Sequence, residues 1–297
     1  MELRQLRYVE AVARHRHFTR AAEELHVAQS ALSHQVRRLE DELGIELFER
    51  TSRRVVTTDA GSAVAARARR VLAEVDGVAG DVDELQGLVR GRISIGALLP
   101  AGEIDVPLLL SRFRDEHPGV DVNLREGTLG DMLGYLAAEE VDAAFTMFAG
   151  DPPDGVAVAV LSTDEVVAAF TPGDAPGRGR VRPADLAKYP LVTPRTGSAV
   201  KIKVDEFFAD ASEPLHVTLE SGDPFLLRCL VSTGFGAGIV PRSLTRREGP
   251  PIELRGLDPP IRLPVTLAWR EDRHVSRAAE VFIDFVRAAA RPPRAAD

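Results

Sequence analysis

The chain has 297 residues, 44% hydrophobic and 28% charged, which is the composition of an ordinary globular protein long enough for two or three domains. No apolar run approaches the roughly 20 residues that a bilayer requires. The single cysteine, Cys229, excludes an internal disulfide and argues against a two-cysteine redox switch. The net charge of −8 is unevenly spread. Residues 1–92 carry 15 Arg against 15 acidic residues, while the remainder carries 22 basic against 30 acidic, so all the acidity lies in the second part.

The opening MELRQLRYVEAVARHRHF is too charged for the apolar core of a signal peptide, so the expected location is the cytoplasm. Leu3, Leu6, Val9 and Ala13 predict an opening helix over about residues 2–14, with Phe18 as a core anchor. Residues 18–40 then read as two short helices joined by a tight turn. Ala21 and Leu25 mark the buried side of the first, and Leu32, Val36 and Leu39 that of the second. Gln29, Ser33 and Arg37 form one polar row at steps of four, with Ser30 and His34 beside it. Gln can read adenine edges, Arg guanine edges and Ser either, which is the layout of a helix-turn-helix whose second helix enters the major groove. Thr19, Arg20 and Arg38 complete the expected DNA contacts on these two helices. The apolar spacing alone would equally suit two helices of a small bundle.

In LGIELFERTSRRVVTTDAG, the apolar Leu47 and Phe48 and the returning Val55 and Val56 predict a hairpin. Arg50, Arg53 and Arg54 near its tip would make it a wing that grips phosphates. A solvated charged turn would have the same composition. A long helix follows, capped by Thr57 or Thr58 with Asp59 in its first turn. Val64, Ala68, Val71, Val75, Val78, Val82, Leu85 and Val89 recur at alternating steps of four and three, a heptad stripe that predicts a dimerising coiled coil, where a helix packed on its own domain would favour a broader stripe of period 3.6. Gly77 and Gly80 weaken that helix by roughly 1 kcal/mol each relative to Ala.

From Gly91 the pattern alternates strands and helices: RISIGALL, a helix near 103–116, strand 120–126, helix 129–138 and strand 142–147. Strands near 164–171, 190–193 and 236–240 follow, with helices near 198–209 and 223–232, then PVTLAWR as a late strand and a closing helix at 274–290. Such alternation implies parallel α/β sheets. About 200 residues suggest two lobes, with crossings near 161–164 and 264–266. Ligands of open α/β sheets sit beyond the carboxyl ends of the strands. The corresponding positions are Leu98, Leu99, Pro100 and Ala101, then Thr128, Thr146, Thr193, Thr196, Gly197 and Ser198, and finally Ser221 and Gly222. Free N–H groups at the helix starts there would suit a small anion, and Arg195, Lys201 and Lys203 could add charge. Each Ser or Thr, taken singly, also reads as a helix cap. Cys229 in FLLRCLV reads as a small buried hydrophobe.

No GxSxG, HExxH, Walker A or strand-borne GxGxxG occurs, and GFGAG at 234–238 precedes a strand, the wrong order for a nucleotide loop. His117, His216 and His274 are isolated in sequence, so neither catalysis nor a metal or cofactor is expected. A solute carrier and an enzyme with a DNA-binding tail are the rival classes. The missing signal peptide counts against the first, and the lack of a nucleophile–base pair against the second.

Three segments, LRYVEAVARHRHFTRAAEELHVAQSALSHQVRRLEDELGIELFERTSRRVVTTDAG, RFRDEHPGVDVNLREG and GFGAGIVPRSL, resemble the LysR-type transcriptional regulators. The resemblance implies a multidomain protein: an α winged helix-turn-helix, a long coiled-coil linker helix, and an α/β two-lobed effector domain like a periplasmic binding protein. The implied boundaries are 1–58 for DNA binding, 59–90 for the linker and 91–297 for the effector domain. Lobe I would hold 91–161 and 266–297, and lobe II 162–265. Implied partners are double-stranded promoter DNA, a small effector, further copies of the chain in a homodimer or homotetramer, and RNA polymerase. The implied recognition positions are Gln29, Ser30, Ser33 and Arg37, with His34 where Arg is common, and the implied wing residues are Arg50, Arg53 and Arg54. Thr128 matches a common ligand-contacting position. Ala28 stands where many members have a capping Ser, at a cost of roughly 1 kcal/mol, and Leu99 where many have Ser or Thr.

Overall fold

The structure, a computed structural model, describes residues 1–50, 55–84, 89–209, 216–246, 248–272 and 275–290, with backbone alone at 50, 73, 76, 79–84 and 246. The chain divides into two compact units, Met1–Gly91 and Arg92–Asp297.

The first unit opens with α1 (Leu3–His15), α2 (Phe18–Glu24) and α3 (Gln29–Leu43). Gln5 starts α1 by accepting from the Glu2 N–H at 2.8 Å. Gly44 ends α3 at φ +68°, a left-handed conformation that favours glycine. Strands β1 (Phe48–Arg50) and β2 (Val55–Thr57) pair antiparallel, and α4 (Asp59–Glu84) follows. Of the two candidate caps for α4, Thr58 is the one used: its hydroxyl accepts from the Gly61 N–H at 2.9 Å and donates to the Glu46 carbonyl. The core gathers Val9, Val12, Ala21, Leu32, Val36, Leu39 and Leu47, with Phe18 edge-on to Phe48 at 5.9 Å between centroids.

The heptad stripe of α4 divides in two. Ala68 is fully buried and Val64 half-buried, because this end of α4 packs on α1 within its own unit. Further along, Val71 is 41% and Val78 65% exposed, with Val75 half-buried between them. Val89 lies past the helix end, so the predicted stripe overruns it, and the Val82 side chain and Leu85 lie outside the described residues. The first turns cover their own domain, which narrows the surface left for a partner to the later turns.

The second unit is one eight-stranded sheet with helices on it. In chain order it contains β3 (Gly91–Ala97), α5 (Val106–Glu116), β4 (Val120–Glu126), α6 (Leu129–Ala137), β5 (Ala143–Met147) and β6 (Val156–Phe170). Then come α7 (Pro183–Leu186), β7 (Leu191–Pro194), α8 (Ala199–Phe208), β8 (Val217–Ser221), α9 (Pro224–Ser232), β9 (Ala237–Pro241), a 3-10 turn at Arg242–Arg246, β10 (Glu253–Arg270) and α10 (Arg277–Ala289). The sheet order is β4-β3-β5-β10-β6-β9-β7-β8. One lobe is therefore built on β4, β3 and β5, the other on β9, β7 and β8, and β10 and β6 belong to both.

Two expectations need correction. The sheet is mixed: β3–β5, β7–β8 and β7–β9 are parallel, but β10 runs antiparallel to both β5 and β6. The strands expected at 164–171 and 264–270 are also far longer, 15 and 18 residues. Pro259, Pro260 and Pro264 cannot donate to a ladder and disguise β10 in the sequence. The pairing absorbs two of them in a register shift between Gly256 and Ile261, and a second shift between Val265 and Thr266 leaves Leu161 over as an extra residue. Separate cores serve the two lobes: Met132, Leu136, Ala144 and Phe148 in one, Val167, Val192, Leu227 and Val240 in the other. Cys229 lies half-buried in α9. Among the described residues no group of three metal ligands occurs, and no helix is long and apolar enough to cross a membrane.

In the first unit Arg14 joins α1 to α2 by donating to a carboxylate on each side, Glu24 at 2.6 Å and Glu10 at 3.1 Å. The Arg14 hydrogen bond holds the Glu24 carboxyl down to about 2, against the opposing effect of burial and with help from His15. A depressed carboxylate stabilises the fold above its unfolded pKa and loses that contribution as pH falls through the folded value. Glu24→Gln should therefore lower the melting temperature at pH 7, at a cost of about 1 kcal/mol for a partly exposed pair. The difference from the parent should shrink between pH 4.5 and about 2; a gap that is constant across this range would show that the pair does not act through charge.

Candidate nucleic-acid interface and effector-binding loops

Helix α3 carries the polar row on its free face. Gln29, Ser30, His34, Arg37 and Arg38 are exposed and Ser33 is half-buried, while Leu32, Val36 and Leu39 face the core. Ala28 gives α3 no side-chain cap, as its methyl group dictates. The turn before it is held by the backbone instead: Val27 N–H donates to the Ala22 carbonyl at 3.0 Å, and His26 adopts φ +52°. Thr19 and Arg20 lie exposed on the first turn of α2. Their backbone N–H groups donate to Nδ1 of His17, at 3.2 and 3.4 Å. Imidazole is an unusual cap, and sequence reading passes over it because Ser, Thr, Asp and Asn dominate that position.

The base of the wing is tied to α3 by a buried carboxylate. Glu40 Oε1 accepts from the N–H groups of Leu47 at 2.9 Å and Phe48 at 3.2 Å. Gly61 lets α4 approach the same segment, since a Cβ there would stand 2.0 Å from the Leu47 carbonyl oxygen. Neither residue announces itself in the sequence: Glu40 sits in an acidic run that reads as solvated, and Gly61 reads as a helix-weakening glycine. Arg53 and Arg54, and the side chain of Arg50, lie outside the described residues.

In the second unit the expected effector residues fall on loops at one end of the strands. Leu98, Leu99 and Pro100 follow β3 half-buried, and Ala101 is buried, bridged to Ile104. Thr128 caps α6: its hydroxyl accepts from the Asp131 N–H at 3.1 Å, and its own N–H donates to Asp131 at 2.8 Å. Ser198 caps α8 by accepting from the Lys201 N–H, and Ser221 accepts from the Asp223 N–H. Thr196 is bound through its N–H and hydroxyl to Glu220, Gly197 turns at φ +85°, and Gly222 is exposed. Thr146 departs from an open loop position. It is buried between β5 and β10, its hydroxyl 2.8 Å from that of Thr266. Thr193 is also buried, 1% exposed, but its hydroxyl has no hydrogen-bond partner among the described residues.

Charge at these loops is more selective than the sequence suggests. Lys201 is paired with Asp205 at 2.6 Å and with Glu220, and Lys203 with Glu206 at 2.7 Å. Arg195 makes no ion pair among the described residues; its side chain lies over Gly222, where a Cβ would meet Cδ at 3.0 Å. The Asp131 carboxyl is lowered by backbone and hydroxyl hydrogen bonds from Thr128, and Arg195 contributes to the lowering. Arg195, from one lobe, thus acts electrostatically on the Thr128 cap of the other. Two concavities elsewhere on this unit, of about 410 and 380 Å³, share none of these residues.

A family model described as a bacterial regulatory helix-turn-helix protein, lysR family, matches residues 3–62, and one described as a LysR substrate binding domain matches residues 86–291. The chain is 32% identical to the RuBisCO operon transcriptional regulator of Allochromatium vinosum, over 96% of this chain and 95% of that one. It is 30% identical to the DNA-binding transcriptional dual regulator OxyR of Escherichia coli K12, over 97% and 95%. Among solved structures, a full-length OxyR point variant from Pseudomonas aeruginosa superposes with a TM-score of 0.75 at 28% identity, covering 97% of this chain and 95% of that one. Full-length CbnR complexed with its target DNA superposes at 0.65 and 25% identity, covering 97% and 100%.

Replacing Glu40 by Ala leaves the Leu47 and Phe48 N–H groups buried without their acceptor. The cost should be about 2–4 kcal/mol in the unfolding of the first unit, with loss of DNA affinity, whereas Glu40→Gln, which keeps an acceptor oxygen, should cost less than half as much. Equal losses for the two variants in urea denaturation would contradict this role.

Proposed function

The chain belongs to the LysR family of bacterial transcriptional regulators, and on that premise we propose that a small anion, held by the loops around Thr128 and Arg195, governs its binding to promoter DNA. The protein is a DNA-binding transcriptional regulator with a two-lobed α/β effector-binding domain. The observation that carries the anionic reading is Arg195, a guanidinium without an ion pair among the described residues where Lys201 and Lys203 are both neutralised by carboxylates. The Thr128 hydroxyl is committed to Asp131, accepting from its N–H and donating to its carboxylate, whereas the buried Thr193 hydroxyl has no hydrogen-bond partner among the described residues. A hydroxyl donor at Thr193 therefore accompanies the cation.

In this reading α3 enters the major groove, with Gln29, Ser30, Ser33, His34 and Arg37 reading bases and Arg38, Thr19 and Arg20 contacting phosphates. Arg50, Arg53 and Arg54 hold the flanking backbone from the wing. The exposed Val71 and Val78 of α4 meet a second copy, which sets two recognition helices on half-sites related by twofold symmetry. Residues 1–58, 59–90 and 91–297 serve as reading head, linker and effector domain, with lobes 91–161 plus 266–297 and 162–265. A homotetramer that contacts RNA polymerase in the cytoplasm, without catalysis of its own, completes the proposal. The effector tilts the equilibrium between two arrangements of the lobes, and it can do so only by its differential affinity for them.

The test is a thermal-shift screen of the full chain against small mono- and dicarboxylates. A ligand that raises the melting temperature of the parent should bind Arg195→Ala about 10- to 100-fold more weakly, the worth of a charge-assisted hydrogen bond. Thr193→Val should weaken it by about tenfold on the same grounds. A carboxylate bound equally by parent and both variants would overturn the site.

A further inference from the structure

The concavity of about 380 Å³ is lined by Arg178, Gly179, Arg180, Arg242, Leu254, Arg255 and Gly256. Four arginines converge there on a unit whose sequence is otherwise strongly acidic, 22 basic against 30 acidic residues beyond position 92. They come from three separate places: the segment before α7, the 3-10 turn after β9, and β10. Glu165, on β6, stands between two of them. One of its carboxylate oxygens accepts from Arg180 Nη1 at 3.2 Å, the other from Arg242 Nε at 2.8 Å. Arg255 pairs with Glu253 and is anchored by the Gly177 carbonyl, which accepts from its Nε at 2.9 Å. Arg178 is exposed and makes no ion pair among the described residues. Gly256 gives Arg180 room to lie along the strand, since a Cβ there would be 2.8 Å from its Nη1.

Two carboxylates against four guanidinium groups leave a surplus of about two positive charges. Hydrogen-bond donors are also in surplus. A guanidinium carries five N–H groups; among the described residues the hydrogen bonds of Arg242 use Nε, those of Arg180 use Nη1, and Arg178 uses none. Guanidinium forks match the oxygens of a phosphate in geometry as well as in charge. A phosphate monoester bears close to two negative charges at neutral pH.

We propose that this arginine concavity is a second ligand site of the effector domain, separate from the Thr128–Arg195 loops, and that it takes a small phosphorylated metabolite through its phosphate dianion. Duplex DNA is the poorer match, because the net acidity of this unit repels a polyanion more than a single phosphate group. The site adjoins Glu165 and Asp164 on β6, and the buried Asp164 accepts from the Ser243 N–H at 3.2 Å, on the same 3-10 turn as Arg242. A ligand drawing Arg180 and Arg242 together would therefore bear on the strand shared by both lobes.

The test uses the full chain and inorganic phosphate as probe, by calorimetry in chloride-balanced buffer, with acetate as the monoanion control. The parent should bind phosphate at least about tenfold more tightly than acetate. Arg178→Ala, which disturbs no ion pair, should weaken phosphate by about tenfold, and the Arg178→Ala/Arg242→Ala pair by more. Arg195→Ala should leave phosphate affinity at the parental value. Phosphate binding that survives the double substitution, or that disappears with Arg195→Ala, would overturn the proposal, and the second result would move phosphate to the Thr128–Arg195 loops. Weakening of operator DNA by the double variant, without any effect on phosphate, would overturn it in favour of a DNA contact. None of these outcomes depends on which carboxylate Arg195 takes.

Discussion

The effector domain depends on the pairing of β6 with β10. These two strands run side by side through both lobes, from Val156 opposite Arg270 to Phe170 opposite Glu253. Every other strand attaches to one lobe only, so relative movement of the lobes must pass through this ribbon. A perfectly regular ladder would resist bending. The two register shifts, one that skips over the Pro259–Pro260 stretch and one at Leu161, break the ladder at defined points. The ribbon thus joins the lobes covalently and by hydrogen bonds while leaving places at which it can flex.

A similar constraint governs the reading head. One carboxylate, Glu40, sits on the helix that carries the recognition row and fixes the start of the wing through two backbone N–H groups. Gly61 brings α4 against the same Leu47. Helix α3, the β1–β2 hairpin and α4 therefore meet at a single segment, Leu47–Phe48. Coupling of this kind is what a regulator needs if the spacing of two recognition helices is to change without loss of their internal geometry.

The sequence disclosed most where one periodicity dominates. Apart from Leu3, which is 45% exposed at the start of α1, the apolar steps of α1, α2 and α3 and the polar row Gln29–Ser33–Arg37 appear in the structure on the faces they imply. It misled where two demands share one element. The heptad of α4 looks like a single coiled-coil seam, yet Val64 and Ala68 serve their own domain. Strand β10 is hidden by prolines that belong to its bulge. Among the effector loops, Thr146 is engaged by Thr266, and the pairing of Lys201 and Lys203 singles out Arg195. Ion pairs between distant segments, such as Lys201 with Glu220 or Glu165 with Arg242, leave no trace in local sequence.

The central claim is that the exposed row of α3 reads bases on symmetric half-sites. It is tested most directly by quantitative footprinting of the full chain on the DNA upstream of its own gene, with Gln29→Ala alongside the parent. The account predicts two protected half-sites about one or two helical turns apart in the parent, and for Gln29→Ala a loss of preference for that site over unrelated DNA with residual non-specific binding retained. A single protected patch without twofold symmetry, or an unchanged preference in Gln29→Ala, would contradict it.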